Sequence, residues 1–169
     1  MANTKKTINN RIDQTYDELT VGQIFRSGGR TITEADVVNY CSLTGNWIEI
    51  HSNTHYASKT RFKQRLVQGS LTYSVVTGLI QFGLGIQANY GIDNMRFRAP
   101  VYINDTIYAV CEVIGKKEKD EKYGVIKFLI KAVNQDGVTV QQGEWSLLML
   151  RQREDLDALV ALSLPDLKD

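Results

Sequence analysis

The stretch from Leu71 to Leu84 is the longest apolar run in the chain, and it constrains the fold more than any other segment. Thr72, Ser74, Thr77 and Gln81 interrupt it, and it is too short to cross a bilayer. Gly69 and Ser70 open it as a helix. Its apolar side chains (Leu71, Val75, Val76, Leu79, Ile80, Phe82) fill more than one stripe, so the helix is expected to be buried on most sides. The second half of the chain is rich in strands. Thr106 to Ile114 alternates, with Ile107, Ala109, Cys111 and Val113 on one face. Gly124–Asn134 and Val138–Met149 read as further strands, joined at Asp136-Gly137, a pair suited to a tight turn. The charged run 116–122 reads as a solvated hairpin connection. One heavily buried helix beside an antiparallel set of strands requires a sheet curled around that helix, an α+β arrangement.

The remaining segments read as short elements. Residues 1–15 carry Asn, Thr and Lys with little to bury and are expected to be a flexible N-terminal segment, leaving 16–169 as one domain. Val21 to Thr33, around Gly28-Gly29, suggests a short hairpin or bulged strand. Thr33 caps a helix over 34–43 with acids in its first turn and Ala35, Val38, Cys41 and Val37 directed inward; Gly45 ends it. A short helix over 52–59, capped by Ser52, leads into the basic loop Arg61-Phe62-Lys63-Gln64-Arg65. Met95 to Tyr102 reads as a strand interrupted by Pro100, with Arg96 and Arg98 on its solvent face. The tail from Glu154 holds one short helix stopped near Pro165.

Charge and cysteine content exclude several function classes. Twenty basic and nineteen acidic residues leave a formal charge of +1, so no field over the whole protein attracts nucleic acid or an anionic membrane. Any anionic ligand has to be caught locally. Cys41 and Cys111 form no CxxC or Cys/His cluster and read as small buried hydrophobes in a reduced compartment. Met1–Gln14 has no apolar core like that of a signal peptide, and a cytoplasmic location is expected. Nothing in the sequence points to a metal or a cofactor.

Candidate chemistry concentrates between Leu43 and Ser70. Both histidines, His51 and His55, lie here, behind the Gly45-Asn46 turn and before the helix opening at Gly69. A helix N-terminus offers unpaired N–H groups and partial positive charge, which suit the oxygen of a thioester becoming an enolate. A histidine beside it can move a proton near neutral pH. Each feature also has a plain structural reading: Gly-Asn as a turn, His51 as a surface side chain, Gly69 as a helix-start residue and the cations as a solvated loop.

Thr44-Gly45-Asn46-Trp47-Ile48-Glu49-Ile50-His51 resembles the Gly-Asp-x-Asn-Pro-x-His loop of MaoC-like (R)-specific enoyl-CoA hydratases. His55-Tyr56-Ala57 resembles that family's Tyr-Ala helix. Leu66-Val67-Gln68-Gly69-Ser70-Leu71 is similar to its Ile-Val-His-Gly-Met-Leu helix start, and Phe97–Thr106 to its Phe-x-x-Pro-Val-x-x-Gly-Asp-Thr strand pair. The likeness runs from about Val21 to Leu150. It implies a hot-dog fold, an antiparallel sheet wrapped around the central helix and usually a homodimer, that hydrates an enoyl thioester carried on coenzyme A or acyl carrier protein. By the same resemblance His51 is the acid/base and the Gly69 N–H the oxyanion donor. Asn46 stands where the family has its catalytic Asp, and Gln68 where it has a His. An amide holds water but takes no proton from it. Glu49 is the candidate replacement carboxylate. Gln68, Ser70, Glu49, Arg61 and Lys63 are the candidate substrate contacts, the two cations facing the phosphates of coenzyme A. The alternatives are a noncatalytic acyl-thioester-binding protein and a hot-dog thioesterase.

Overall fold

A computed structural model describes residues 7–165. In chain order the elements are β1 (Arg11–Ile12), β2 (Ile24–Thr31), α1 (Glu34–Thr44), α2 (Glu49–Ser52), α3 (Thr54–Lys59), α4 (Gly69–Leu79), β3 (Gln81–Phe82), β4 (Ile86–Phe97), β5 (Thr106–Glu118), β6 (Tyr123–Val133), β7 (Thr139–Leu150) and α5 (Arg153–Ser163). Strand alternation organises the core. Ile107, Ala109, Cys111 and Val113 of β5 are fully buried, as are Ile126 and Phe128 of β6 and Met149 of β7. Every second residue therefore faces one layer. The turn between β6 and β7 falls at Asp136-Gly137 as expected. Gly137 takes φ 77°, and the Asn134 side-chain oxygen accepts from the Asp136 and Val138 N–H groups.

Five strands form one antiparallel sheet in the order β2-β5-β6-β7-β4. Its inner face wraps α4, which packs against β2, β5, β6 and β7. Leu71, Thr72, Val75 and Val76 are the buried face of the helix. Tyr73 packs tilted against Trp145 at 5.0 Å between ring centroids, and Phe82 meets Phe128 edge-on at 6.0 Å. The α+β sheet-around-helix arrangement is the one read from the sequence.

Several boundaries differ, each for a tertiary reason. The central helix stops at Leu79 rather than Leu84, because Gln81–Phe82 leaves it to pair in parallel with Arg11–Ile12. Asn10 secures the change, donating to Leu79 O at 2.7 Å and accepting from Gln81 N–H at 2.8 Å. That pairing also corrects the expectation of a flexible segment over 1–15. Ile12 and Thr15 are buried and residues 11–12 are strand, while residues 1–6 lie outside the described residues. In α1 the Thr33–Asp36 capping box and Gly45 (φ 71°) are as expected, but Val37 and Cys41 face inward while Ala35 and Val38 are exposed. The expected helix over 52–59 is split in two. Asn53, not Ser52, caps α3 by accepting from Tyr56 N–H, while the Ser52 hydroxyl donates to Trp47 O. The strand expected over 95–102 ends at Phe97, short of Pro100. Its body, 86–94, was not foreseen, since β4 lies on the sheet edge and three register shifts erase its alternation. No helix among the described residues is long and apolar enough to cross a membrane.

Replacing Phe128 by Ala removes a fully buried ring from the layer against Phe82. It is expected to cost about 3–5 kcal/mol in urea unfolding. Glu18 supplies a pH-dependent contribution. Arg153 and the Thr15 N–H both donate to its carboxylate and hold its pKa below the ordinary 4.5. A carboxyl with a lowered folded-state pKa stabilises the fold above its unfolded value, and this is lost as pH falls through the folded value. Glu18→Gln is therefore expected to flatten the loss of stability below about pH 4.5, measured as Tm against pH.

Candidate active site

The positioning of His51 begins with α1. Gly45 turns the chain out of that helix, with its N–H donating to Cys41 O, and residues 46–48 lead into the single turn of α2. On α2, His51 Nδ1 lies 2.8 Å from Leu66 O. A carbonyl oxygen only accepts, so Nδ1 carries the proton and Nε2 of the neutral ring keeps its lone pair. The acceptor is itself anchored. Leu66 N–H donates to Ile50 O, Leu66 forms a bridge with Tyr102, and Val67 N–H donates to Val101 O at 2.9 Å. The histidine loop is thus tied through 66–67 to the segment after Pro100.

Two residues beyond Val67 the chain enters α4. Gln68 precedes the helix in an extended conformation and gives it no side-chain cap. The first N–H groups, Gly69 and Ser70 among them, have no intrahelical acceptor and stand at the positive end of the helix. His51, Gly69 and Ser70 line one cavity of about 400 Å³, whose other walls include Phe97, Val101, Val140 and Gln141. A Cβ on Gly69 would collide with the Phe97 ring, so the absence of a side chain there lets the aromatic lie against the helix start.

The other residues singled out from the sequence do not line that cavity. Asn46 is half-buried between α1 and α2. Its N–H donates to the Thr44 hydroxyl at 3.3 Å, and its Oδ1 is shielded with no donor among the described residues. Gln68 is buried and turned inward, donating from Nε2 to Cys41 Sγ at 3.0 Å; its Oε1 likewise has no donor. Glu49 is exposed in the first turn of α2, where its carboxylate accepts from Asn53. Two residues apart on a helix, Glu49 and His51 do not share a face. Arg61 and Lys63 are exposed. The Arg61 guanidinium lies 4.7 Å from the centre of the Phe62 ring, and Lys63 takes φ 65° in the turn after α3. Phe97, Val140 and Gln141 were not anticipated as wall residues. Phe97 opens the Phe-x-x-Pro-Val motif, which was the one signal for it, whereas Val140 and Gln141 sit in a strand pattern that carries no such signal.

A family model described as "MaoC like domain" matches residues 18–134. The chain belongs to that family. Among its relatives, the β-methylmalyl-CoA dehydratase of Chloroflexus aurantiacus is 33% identical over 159 residues, which are 91% of this chain and 45% of that protein. The chain therefore spans less than half the length of that relative. The (R)-specific enoyl-CoA hydratase of Rhodospirillum rubrum is 32% identical over 101 residues, covering 59% of this chain and 69% of the relative. A Mycobacterium tuberculosis protein described as a double hot-dog fold superposes with TM-score 0.73 at 17% identity, over 92% of this chain and 46% of that one. The fold is the hot-dog.

In this MaoC-like domain the contact between Gly69 and Phe97 can be measured directly. Gly69→Ala is expected to destabilise by about 1–3 kcal/mol through overpacking against the ring. In a Phe97→Ala background that cost should disappear, leaving a coupling of similar size in a double-mutant cycle.

Proposed function

We propose that this MaoC-like domain hydrates an enoyl thioester, or dehydrates the 3-hydroxyacyl thioester, with His51 as acid/base and the Gly69 N–H as oxyanion donor. The observation that carries the reading is the shared cavity. A histidine whose Nδ1 is fixed on a backbone carbonyl and the N-terminus of an eleven-residue helix line the same 400 Å³ space. In the hydration direction, water oxygen adds to C3 of the enoyl group while Nε2 of His51 takes its proton. Electron density moves to the thioester oxygen, where the helix-end N–H donates, and the enolate then collects at C2 the proton that His51 took, which returns the ring to its neutral form. A positioned base supplies about 10²–10⁴-fold and one oxyanion donor about 10²–10³-fold.

Asn46, off the cavity wall, would enter only through a water it holds. Its shielded Oδ1 has no donor among the described residues, and a water hydrogen would satisfy it. It cannot act as a base, so His51 works without a carboxylate partner. The position of Glu49, off the cavity wall and bonded to Asn53, argues against its serving as replacement base here and as the water-activating group of a thioesterase. Gln68 would brace the start of α4 through Cys41, and Ser70 would border the thioester. Arg61 and Lys63, exposed on the loop after α3, would meet the phosphates of coenzyme A or of an acyl carrier protein's prosthetic arm. A homodimer is part of the same reading. β4 is an edge strand with Tyr90, Ile92 and Phe97 exposed, and such an edge calls for a covering partner.

The reading is tested by following loss of enoyl absorbance with trans-2-enoyl-CoAs of several chain lengths. Native protein is expected to turn over, and His51→Ala to lose about 10²-fold or more in kcat. Asn46→Asp, at a position off the cavity wall, is expected to raise kcat only through the water it holds. Binding without turnover in the native protein and in Asn46→Asp would make this an acyl-thioester-binding protein instead.

A further inference from the structure

The wall of the His51 cavity is apolar along Phe97, Ala99, Val101 and Val140, and two buried polar side chains break it: Thr72 of α4 and Gln141 of β7. Gln141 is 4% exposed. Its Nε2 donates to Met95 Sδ at 3.2 Å. A thioether only accepts, so this contact fixes which end of the amide is which, with the NH2 toward Met95 and Oε1 left over. That oxygen is shielded and has no donor among the described residues, so a group in the cavity meets it once the side chain turns toward the cavity. The Thr72 hydroxyl spends its hydrogen on Gln68 O at 3.3 Å, which leaves it, too, able only to accept. The amide oxygen therefore calls for a donor, and the threonine hydroxyl, already bonded, has room to accept one as well. A carboxylate, which only accepts, is mismatched to them, and a plain alkyl chain leaves the amide oxygen unpaired.

We propose that Gln141, supported by Thr72, is a specificity determinant of the acyl cavity, accepting a hydrogen bond from a hydroxyl or amide N–H carried on the acyl chain beyond the reacting carbons. The proposal rests on the acyl-thioester reading of this cavity. It names the class of chain: short, apolar near the thioester and bearing one neutral hydrogen-bond donor further along. Sites that hydrogen-bond a substrate hydroxyl reject the analogue lacking it strongly, because their own buried groups are then left unpaired. A competing account exists beside the cavity. Gln141 also borders a void of about 10 Å³ against Ala132 and Trp145, close to the space of one water. A water held there would satisfy Oε1 and make the cavity indifferent to the chain.

The test uses unreactive coenzyme A thioethers, so that binding is read without turnover. S-hexyl-CoA is compared with its 4-, 5- and 6-hydroxy derivatives and with the chain ending in a carboxylate, by titration calorimetry. Native protein is expected to bind one hydroxylated member about tenfold or more tighter than S-hexyl-CoA, and the carboxylate more weakly than either. Gln141→Leu and the volume-matched Gln141→Met should both erase that preference while binding S-hexyl-CoA at least as well as native. The proposal is overturned if native protein ranks S-hexyl-CoA level with or above every hydroxylated member. It is equally overturned if the variants keep the native ranking and change only Tm, which is the result a trapped water gives. If no thioether binds to any of these proteins and no enoyl-CoA is consumed, the acyl-thioester reading itself falls and takes this proposal with it. Turnover of enoyl-CoA without the hydroxyl preference rejects this proposal alone.

Discussion

The sheet has an inner face that cannot be left to water, and α4 is the element that covers it. Ile107, Cys111, Val113, Ile126, Phe128 and Met149 converge from three strands, and Leu71, Val75 and Val76 meet them from the helix. Burying side chains of this kind contributes about 1.5–3 kcal/mol each. Where α4 lies decides where its N-terminus emerges, and so where a positive end and unpaired N–H groups are offered to the cavity. Phe82 belongs to the same layer, although it sits in β3 after the helix has ended, and its ring closes the aromatic cluster with Trp145 and Phe128.

From that fixed point the site is assembled by backbone hydrogen bonds. Leu66 and Val67 approach α4 while bound on one side to Ile50 and His51 and on the other to Val101 and Tyr102. One short segment therefore sets the distance between the histidine loop, the helix start and the walls supplied after β4. The tautomer of His51 is set by the same segment, because its partner is a carbonyl. Among the described residues no carboxylate bonds the ring. The geometry of His51 thus depends on the fold and not on a second ionised side chain.

Amides recur at the places where polarity matters. Asn46, Gln68 and Gln141 each hold a shielded oxygen without a donor among the described residues, and Gln68 and Gln141 both turn their NH2 groups to sulfur. Sulfur is a weak acceptor, so it orients an amide at little cost to the surrounding apolar packing. Such groups remain neutral over the whole physiological range. Cys111, deep under β5, contributes no charge either, since burial pushes its thiol well up.

The alternation of 106–114, the Asp136-Gly137 turn, the Thr33 cap and the multi-striped apolar run were legible because each depends on residues adjacent in sequence. Together they were enough to require a sheet curled around one helix. The motif residues His51 and Gly69 were legible as well, and they do line one cavity. Only the tertiary structure decided where α4 ends, because the pull on Gln81–Phe82 comes from Arg11–Ile12, seventy residues away in sequence. It also kept Asn46, Gln68 and Glu49 off the cavity wall, since a side chain's direction depends on whether its segment is extended or helical. Gln141 was beyond any local pattern. Its strand position marks it as inward-facing, but its free oxygen exists only because Met95, on a neighbouring strand, can accept and cannot donate.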